Sequence, residues 1–418
     1  MIKLPFAKPK RKKLLDGITP IVALDIGTET VKSVLFTMGS YGVSVNRISR
    51  IEQQKHAMKS GIIKNLDTVL ENCKLSINEL VSNLKPEEYP KNVIMGVAGE
   101  YIQGVSIVVN YEREENFEKE VPQKEQNKIL EKVKTQIADG GKEDLSLRTG
   151  LKNEDIEILH ITPTGLEIGG MPVNTLVGYK GRDVKLNFYA SFAPKTYIEA
   201  LRKVASSLNF DVLGIVSQPF AVARAHAGGD HPDFSAIFID VGGGTTDVAV
   251  VKHGNVAETQ MFAFGGRAFT KELAKLTDSD FRHAEQRKIK YSTKDLPKEV
   301  LRQVQKTMYS TAGLWMRTLK VALESCEDVG TLPTQIYLCG GGSLLPDIKQ
   351  SLMEFPWKKY LPIPMVPKID MFTPNLLGSV VDNSGDLENI YDITPASLAK
   401  FLYDMEMDRV KKNINWNV

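Results

Sequence analysis

Ile21-Val-Ala-Leu-Asp-Ile-Gly-Thr-Glu-Thr-Val-Lys-Ser-Val-Leu-Phe36 is matched later in the chain by Ala236-Ile-Phe-Ile-Asp-Val-Gly-Gly-Gly-Thr-Thr-Asp-Val-Ala-Val-Val251. Each stretch is an apolar run, an Asp-x-Gly turn and a second apolar run, the pattern of a β-hairpin. Glycine in the turn admits φ > 0 and lets backbone N–H groups approach an anion. The neighbouring acid suits a divalent cation held through water, the habit of Mg2+. One such hairpin means little, because Asp-x-Gly turns are common. Two in one chain point to a nucleotide clamped between related halves. A third segment strengthens this: Gln335-Ile-Tyr-Leu-Cys-Gly-Gly-Gly-Ser-Leu-Leu-Pro-Asp-Ile348. It reads as a buried strand, a triple-glycine turn and a helix opening near Leu345. Three glycines contribute no packing, so the backbone there must come close to something. A flat adenine ring is one candidate and a plain flexible turn is the other.

Around these segments the chain is ordinary for a soluble globular protein: 42% hydrophobic and 25% charged over 418 residues, enough for two or more packed units. No apolar run approaches the ~18 residues of a membrane span, and no secretory signal is visible. Three cysteines (Cys73, Cys326, Cys339) without pattern suit a reducing cytoplasm and give no metal site. His160, in an apolar run, reads as a strand residue rather than a ligand. The net charge of +2 is uneven. Lys3, Lys8, Lys10, Arg11, Lys12 and Lys13 precede the first acid, Asp16, and without them the balance turns acidic. This basic arm is either a solubilising tail or a contact for anionic lipid. Basic residues interleaved with aromatics are missing elsewhere, so no nucleic-acid partner is expected.

Periodicity places a strand over 42–51 and a helix within Ile62–Leu84, with Val69, Leu70, Cys73, Ile77, Leu80 and Val81 on its inner face. Strands are expected at 93–98, 105–111, 156–161, 167–168 and 184–192. A helix over Gln123–Ile137 is followed by a loop at Gly140-Gly141. Further helices are expected at 197–208, from Gln218, over 269–277 and over 301–326, the last with apolar Val304, Met308, Leu314, Leu319, Val321 and Leu323. Strand-rich, helix-covered halves imply an α/β fold.

The order and wording of the three glycine segments resemble the phosphate-1, phosphate-2 and adenosine motifs of the actin/Hsp70/sugar-kinase superfamily. The likeness runs from about Val22 to Asp404. Within the superfamily the chain is most similar to the FtsA cell-division proteins and to their relative PilM, of pilus assembly. The resemblance implies a bilobed actin-like ATPase fold of two ribonuclease-H-like halves, with a small α+β insert (subdomain 1C) in the first. It divides the chain into a basic arm 1–19, subdomain 1A at 20–90 and 188–228, and the insert at 91–187. Subdomain 2A follows at 229–268 and 334–374, subdomain 2B at 269–333, a return to 1A at 375–405 and a tail at 406–418. Asn174–Lys185 resembles a stretch near the end of such an insert, with Thr175 in place of a proline.

By resemblance Asp25 and Asp240 face the Mg2+–phosphate cluster of bound ATP or ADP; a cap on its own turn is the other reading of Asp25. Gly27, Thr28, Glu29 and Thr30 form the first phosphate cradle with Lys32. Gly242, Gly243, Gly244, Thr245 and Thr246 form the second. Glu29 departs from the usual small residue there, and its carboxylate must point away from phosphate or towards the metal. Asp247 reads as a surface acid or a water-orienting one. Gln218 corresponds to the group beside the attacking water, where an amide orients water but is a poor base; slow hydrolysis is expected, and a simple helix cap is the other reading. Glu285 and Lys288, in Ala284-Glu-Gln-Arg-Lys288, match an element that contacts ribose and base, or form a plain i,i+3 ion pair. Gly340, Gly341, Gly342, Ser343 and Leu344 would hold the adenosine.

The implied role is a nucleotide-dependent polymer or adaptor of bacterial division. It would self-associate head to tail, meet a tubulin-like division protein, and contact inner-membrane proteins through the insert. Its place is the cytoplasmic face of the membrane, with weak anionic-lipid contact through the N-terminal arm or the tail. The tail (Met405, Met407, Val410, Ile414, Trp416 with Arg409, Lys411, Lys412) follows an expected core helix over 395–404 without a linker, which pulls towards the PilM-like alternative: a cytoplasmic module binding a membrane partner's peptide. No large substrate domain follows the first hairpin, as a small-molecule kinase would need. No separate substrate-binding domain follows Asp404, as an Hsp70-like chaperone would need.

Overall fold

The computed structural model describes residues 14–99, 101–227, 233–326 and 329–412. The basic arm up to Lys13 and the tail from Asn413 lie outside them. Leu14, the first described residue, is buried in the core.

The first half opens with a meander of β1 (Ile21–Ile26), β2 (Thr30–Gly39) and β3 (Gly42–Glu52). A small hairpin, β4 (Met58–Lys59) and β5 (Ile62–Ile63), leads into α1 (Leu66–Val81), whose N-cap Asn65 accepts a bond from Thr68 N–H. Then comes β6 (Asn92–Val97). The next elements are β7 (Gln103–Glu112), α2 (Gln123–Thr149), β8 (Ile156–Ile168), β9 (Met171–Val173) and β10 (Asp183–Pro194). The first half resumes with α3 (Lys195–Ser207), β11 (Asp211–Ser217) and α4 (Gln218–Ala227). The second half holds β12 (Ala236–Val241), β13 (Thr246–Lys252), β14 (Asn255–Phe262), α5 (Gly266–Thr277), α6 (Phe281–Ser292) and α7 (Lys298–Glu324). It continues with β15 (Gln335–Cys339), α8 (Pro346–Glu354), α9 (Trp357–Tyr360) and β16 (Lys368–Met371). β17 (Val380–Asp382) and α10 (Ile393–Lys412) return to the first half.

The two halves share one topology. The first sheet runs β3-β2-β1-β6-β11, and the second runs β14-β13-β12-β15-β16. In each, a meander is followed by two parallel strands, joined through helices. β1 and β12 are central and buried on both faces, which is why they read as continuous apolar runs. α4 and α10 hold equivalent places in the two halves and pack together between the sheets. Phe220 and Val222 of α4 share one core there with Leu398, Phe401 and Leu402 of α10. The opposite face of the first sheet is covered by α1 and α3, and that of the second by α5, α7 and α8. This is the bilobed actin-like fold that the motifs imply.

The structure differs from the sequence reading in several places. β6 lies inside the first sheet, between β1 and β11, so the insert's own sheet starts at β7 rather than at residue 91. That sheet, β7-β10-β8-β9, is not isolated: β7 pairs with β14 at Gly104–Thr259 and Val105–Glu258, joining the insert to the second half. α2 runs straight through Gly140-Gly141. A glycine inside a helix costs up to about 1 kcal/mol. Here, however, the Phe192 ring occupies the space that a Cβ on Gly141 would need, 2.0 Å from Cζ, and Ile137 and Leu145 on either side are buried. β8 is one strand rather than two, with a register shift opposite Asn187–Phe188. On α7, Leu314 and Val321 face outwards while Trp315 and Ala312 enter the core. α10 continues past Asp404 to Lys412, absorbing the first part of the expected tail. Among the described residues, no helix is long and apolar enough to cross a membrane.

Candidate functional site

The two Asp-Gly hairpins correspond residue by residue in register. Asp25 stands opposite Lys32 across β1–β2, and Asp240 stands opposite Asp247 across β12–β13. Both turns close with the same backbone bond, Gly27 N–H to Thr30 O at 3.1 Å and Gly242 N–H to Thr245 O at 2.9 Å. They meet face to face. A Cβ on Gly243 would stand 2.3 Å from Glu29 Cγ, and one on Gly244 would stand 2.6 Å from Thr28 Oγ1. The space that the second turn's glycines leave is therefore filled by side chains of the first turn.

Below the turns lies a buried charge cluster. Lys32 Nζ is 2.8 Å from Asp25 Oδ2 and donates at 2.8 Å to Tyr391 O, just before α10. Gln218 Nε2, at the start of α4, donates to the other Asp25 oxygen at 2.8 Å. Thr394 Oγ1 of α10 donates to Asp240 Oδ2 at 2.7 Å. Burial pulls the Lys32 ammonium down, but Asp25 and Asp240 outweigh it and leave its pKa above the ordinary lysine value. Burial pushes the Asp240 carboxyl up against the pull of Lys32 and Thr394. Asp247 goes furthest: burial, then the charges of Asp240 and Asp25, hold it well above the usual carboxylate range. Its Oδ1 is buried and has no hydrogen-bond partner among the described residues. Asp247 is thus not a surface acid.

The remaining predicted residues divide. Lys288 Nζ donates to Gly266 O at 3.2 Å and Thr270 Oγ1 at 2.9 Å, and pairs with Glu285 at 2.8 Å. Gly266 N–H in turn donates to Gly242 O at 2.9 Å, so α6 is tied to the second turn. Gly340 has φ +80°, and a Cβ there would lie 2.1 Å from Asp240 Oδ1. Gly342 packs against Val241, whereas Gly341 and the exposed Leu344 border open space. Two hydroxyls are already engaged in the fold. Thr246 Oγ1 donates to Phe264 O at 2.6 Å and accepts from Trp315 Nε1 at 2.9 Å. Ser343 Oγ caps Gly340 O at 2.7 Å. Neither is turned towards the cleft.

Other participants escaped the sequence reading. Arg267, in the first turn of α5, pairs through Nε with Glu29 and donates from Nη1 to Met58 O at 3.1 Å. Glu29 accordingly points neither to a phosphate nor to a metal but to this arginine. Arg50 grips Asp392 with two bonds of 2.8 Å, fixing the segment that presents Tyr391 O and Thr394. Apart from the Gly265-Gly266 turn before Arg267, no glycine or motif marks these positions; the fold brings them together.

A family model for the cell division protein FtsA matches residues 237–375, which carry the second hairpin and the triple-glycine turn. FtsA of Enterococcus hirae is 27% identical over 50% of this chain and 52% of its own length. FtsA of Streptococcus pneumoniae is 23% identical over 81% of this chain and 75% of its own. The chain is similar to FtsA over part of its length, and its fold is actin-like. It spans about half the length of the curated relatives it matches first, those of Enterococcus hirae and Enterococcus faecalis. Among solved structures, a chain of the PilM–PilN type IV pilus biogenesis complex aligns with a TM-score of 0.66 and 13% identity, covering 92% of this chain and 99% of that one. This second likeness is one of fold alone.

Proposed function

We propose that this FtsA-like chain binds Mg·ATP or Mg·ADP between its two hairpins and serves cell division as a nucleotide-dependent polymer or adaptor. The observation that carries this is the pairing of the hairpins: two equivalent turns, a buried carboxylate behind each, and one lysine under the influence of both. The residues suit the group. Backbone N–H donors and Lys32 favour phosphate oxygens. Asp25 and Asp240 suit a metal met through water; among the described residues, no group of three or more His, Cys, Asp or Glu could hold a metal. In this reading Glu285, Lys288 and the open face of Gly341 would receive the sugar and base. Gln218, anchored on Asp25 through its amide nitrogen, would orient water but is a poor base, which supports slow hydrolysis. Partners in this reading are further copies of the chain, a tubulin-like division protein, and membrane proteins met by the insert. The chain would work peripherally at the cytoplasmic face of the inner membrane.

The test is sedimentation of the purified protein with Mg·ATP, with and without anionic vesicles, beside Asp240→Ala. Nucleotide-dependent pelleting that is lost in the variant supports the reading. Nucleotide binding without pelleting under any condition supports a PilM-like module. Absence of nucleotide binding overturns the proposal.

A further inference from the structure

We infer that Arg267 is a phosphate-recognition residue and that Glu29 is its built-in competitor, a carboxylate resting in the second turn's cradle and on the arginine that a nucleotide phosphate would claim. The inference rests on the nucleotide-binding reading and specifies how that site is regulated.

Glu29 belongs to the first half and Arg267 to the second, so their ion pair crosses the cleft. The Glu29 backbone is fixed by Gln53 N–H, which donates to Glu29 O at 2.7 Å. Only the side chain is free to leave. That side chain lies over Gly243: a Cβ there would stand 2.3 Å from Glu29 Cγ and 3.5 Å from Cδ. Arg267 is equally well placed. Its backbone N–H donates to Gly243 O at 2.8 Å, and its guanidinium lies 5.9 Å from the Phe281 ring centre. Carboxylate and phosphate satisfy the guanidinium fork in the same way, through parallel charge-assisted bonds. One anion excludes the other from the space over Gly243. Without nucleotide, Glu29 holds the halves together at Arg267, which in turn is bound to Met58 O on the first half. With nucleotide, Glu29 must swing out. Part of the phosphate's binding energy is thereby spent on breaking a pair that is 20% and 35% exposed at its two side chains.

Three full-length proteins test this beside the wild type: Glu29→Ala, Arg267→Ala, and the exchange Glu29→Arg with Arg267→Glu. Affinity is read with a fluorescent ATP analogue and Mg2+. The distance between the halves is read without nucleotide from spin labels at Tyr41→Cys and Leu276→Cys, two exposed positions. The native Cys73, Cys326 and Cys339 are buried and stay unlabelled. Glu29→Ala is expected to bind about fivefold tighter, the fold-change of an ion pair at the upper end of surface values. Arg267→Ala binds more weakly than Glu29→Ala. The label distance broadens in both single variants and narrows again in the exchange. Unchanged affinity in Glu29→Ala, or one label distance in all four proteins, overturns the inference while leaving nucleotide binding intact. If neither the wild type nor any variant binds the analogue, the nucleotide reading fails and this inference fails with it.

Discussion

The β1–β2 and β12–β13 hairpins have the same register and the same turn bond, yet they carry opposite chemistry. The first has Thr28, Glu29 and Lys32 where the second has Gly243, Gly244 and Asp247. One turn is bulky and backed by a cation. The other is bare and backed by a second acid. They fit because they differ: Thr28 and Glu29 fill what the glycines leave open, and Lys32 neutralises carboxylates on both sides. Two equivalent units thus form complementary jaws, and substitutions at their contacts and in the buried charge cluster behind them probe that fit.

The largest effect is expected from Lys32→Met. It leaves Asp25, only 4% exposed, without its cation. Removing one partner of a buried pair costs about 3–5 kcal/mol. Urea unfolding should show this loss, and adding Asp25→Asn should recover much of it. If the double variant is as unstable as the single, the lysine's packing rather than its charge matters.

Next comes Gly243→Ala, which brings the second turn closer to the first. The new methyl meets the Glu29 side chain, so overpacking of about 1–3 kcal/mol follows. In a double-mutant cycle Glu29→Ala should relieve most of that cost. Additive costs would mean that the jaws do not touch in solution.

The legibility of each feature in the sequence depends on how local its signal is. Asp25, Asp240 and the glycine turns were visible because their chemistry is local, a few residues forced into one geometry. The complement between the jaws was not, because Thr28–Gly244 and Glu29–Gly243 are contacts across two halves of the chain. Arg267, Asp392 and Thr394 reach the site from helix starts that carry no motif. Of the two readings of Asp247, surface acid or water-orienting acid, the first fails because alternation alone does not reveal that both faces of β13 are covered. The Gly140-Gly141 pair looked like a loop because local propensity is silent about Phe192, which lies distant in sequence and takes the missing side chain's place. The insert's start was misjudged for a related reason: β6 and β7 read alike as apolar strands, and only the pairing of β6 with β1 and β11 assigns it to the first sheet.

Asp247→Asn should have a smaller effect and the opposite sign. The folded pKa of Asp247 lies above its unfolded value, so its contribution is full below the ordinary Asp range and is lost as pH rises through the folded value. The variant has no such loss. Its advantage in unfolding free energy over the wild type, read from urea melts across pH, should therefore be small near pH 4 and grow with rising pH, reaching about 1–2 kcal/mol, the scale of an unsatisfied buried polar group. A constant difference across pH would show that Asp247 does not titrate differently on folding.

The smallest stability effect belongs to Lys288→Met, and it separates two readings of α6. Lys288 is 12% exposed and Glu285 26%, three residues apart on one helix. As a plain pair they contribute roughly 0.3–0.5 kcal/mol. Lys288 also bonds Gly266 O, whose own N–H holds Gly242 of the second turn. If α6 serves only the fold, melting should fall slightly and affinity for the ATP analogue should stay as it is. If it faces the sugar and base, affinity should drop severalfold with the same small change in melting. A drop for ATP but not for inorganic tripolyphosphate would place Lys288 at the nucleoside end, away from the jaws.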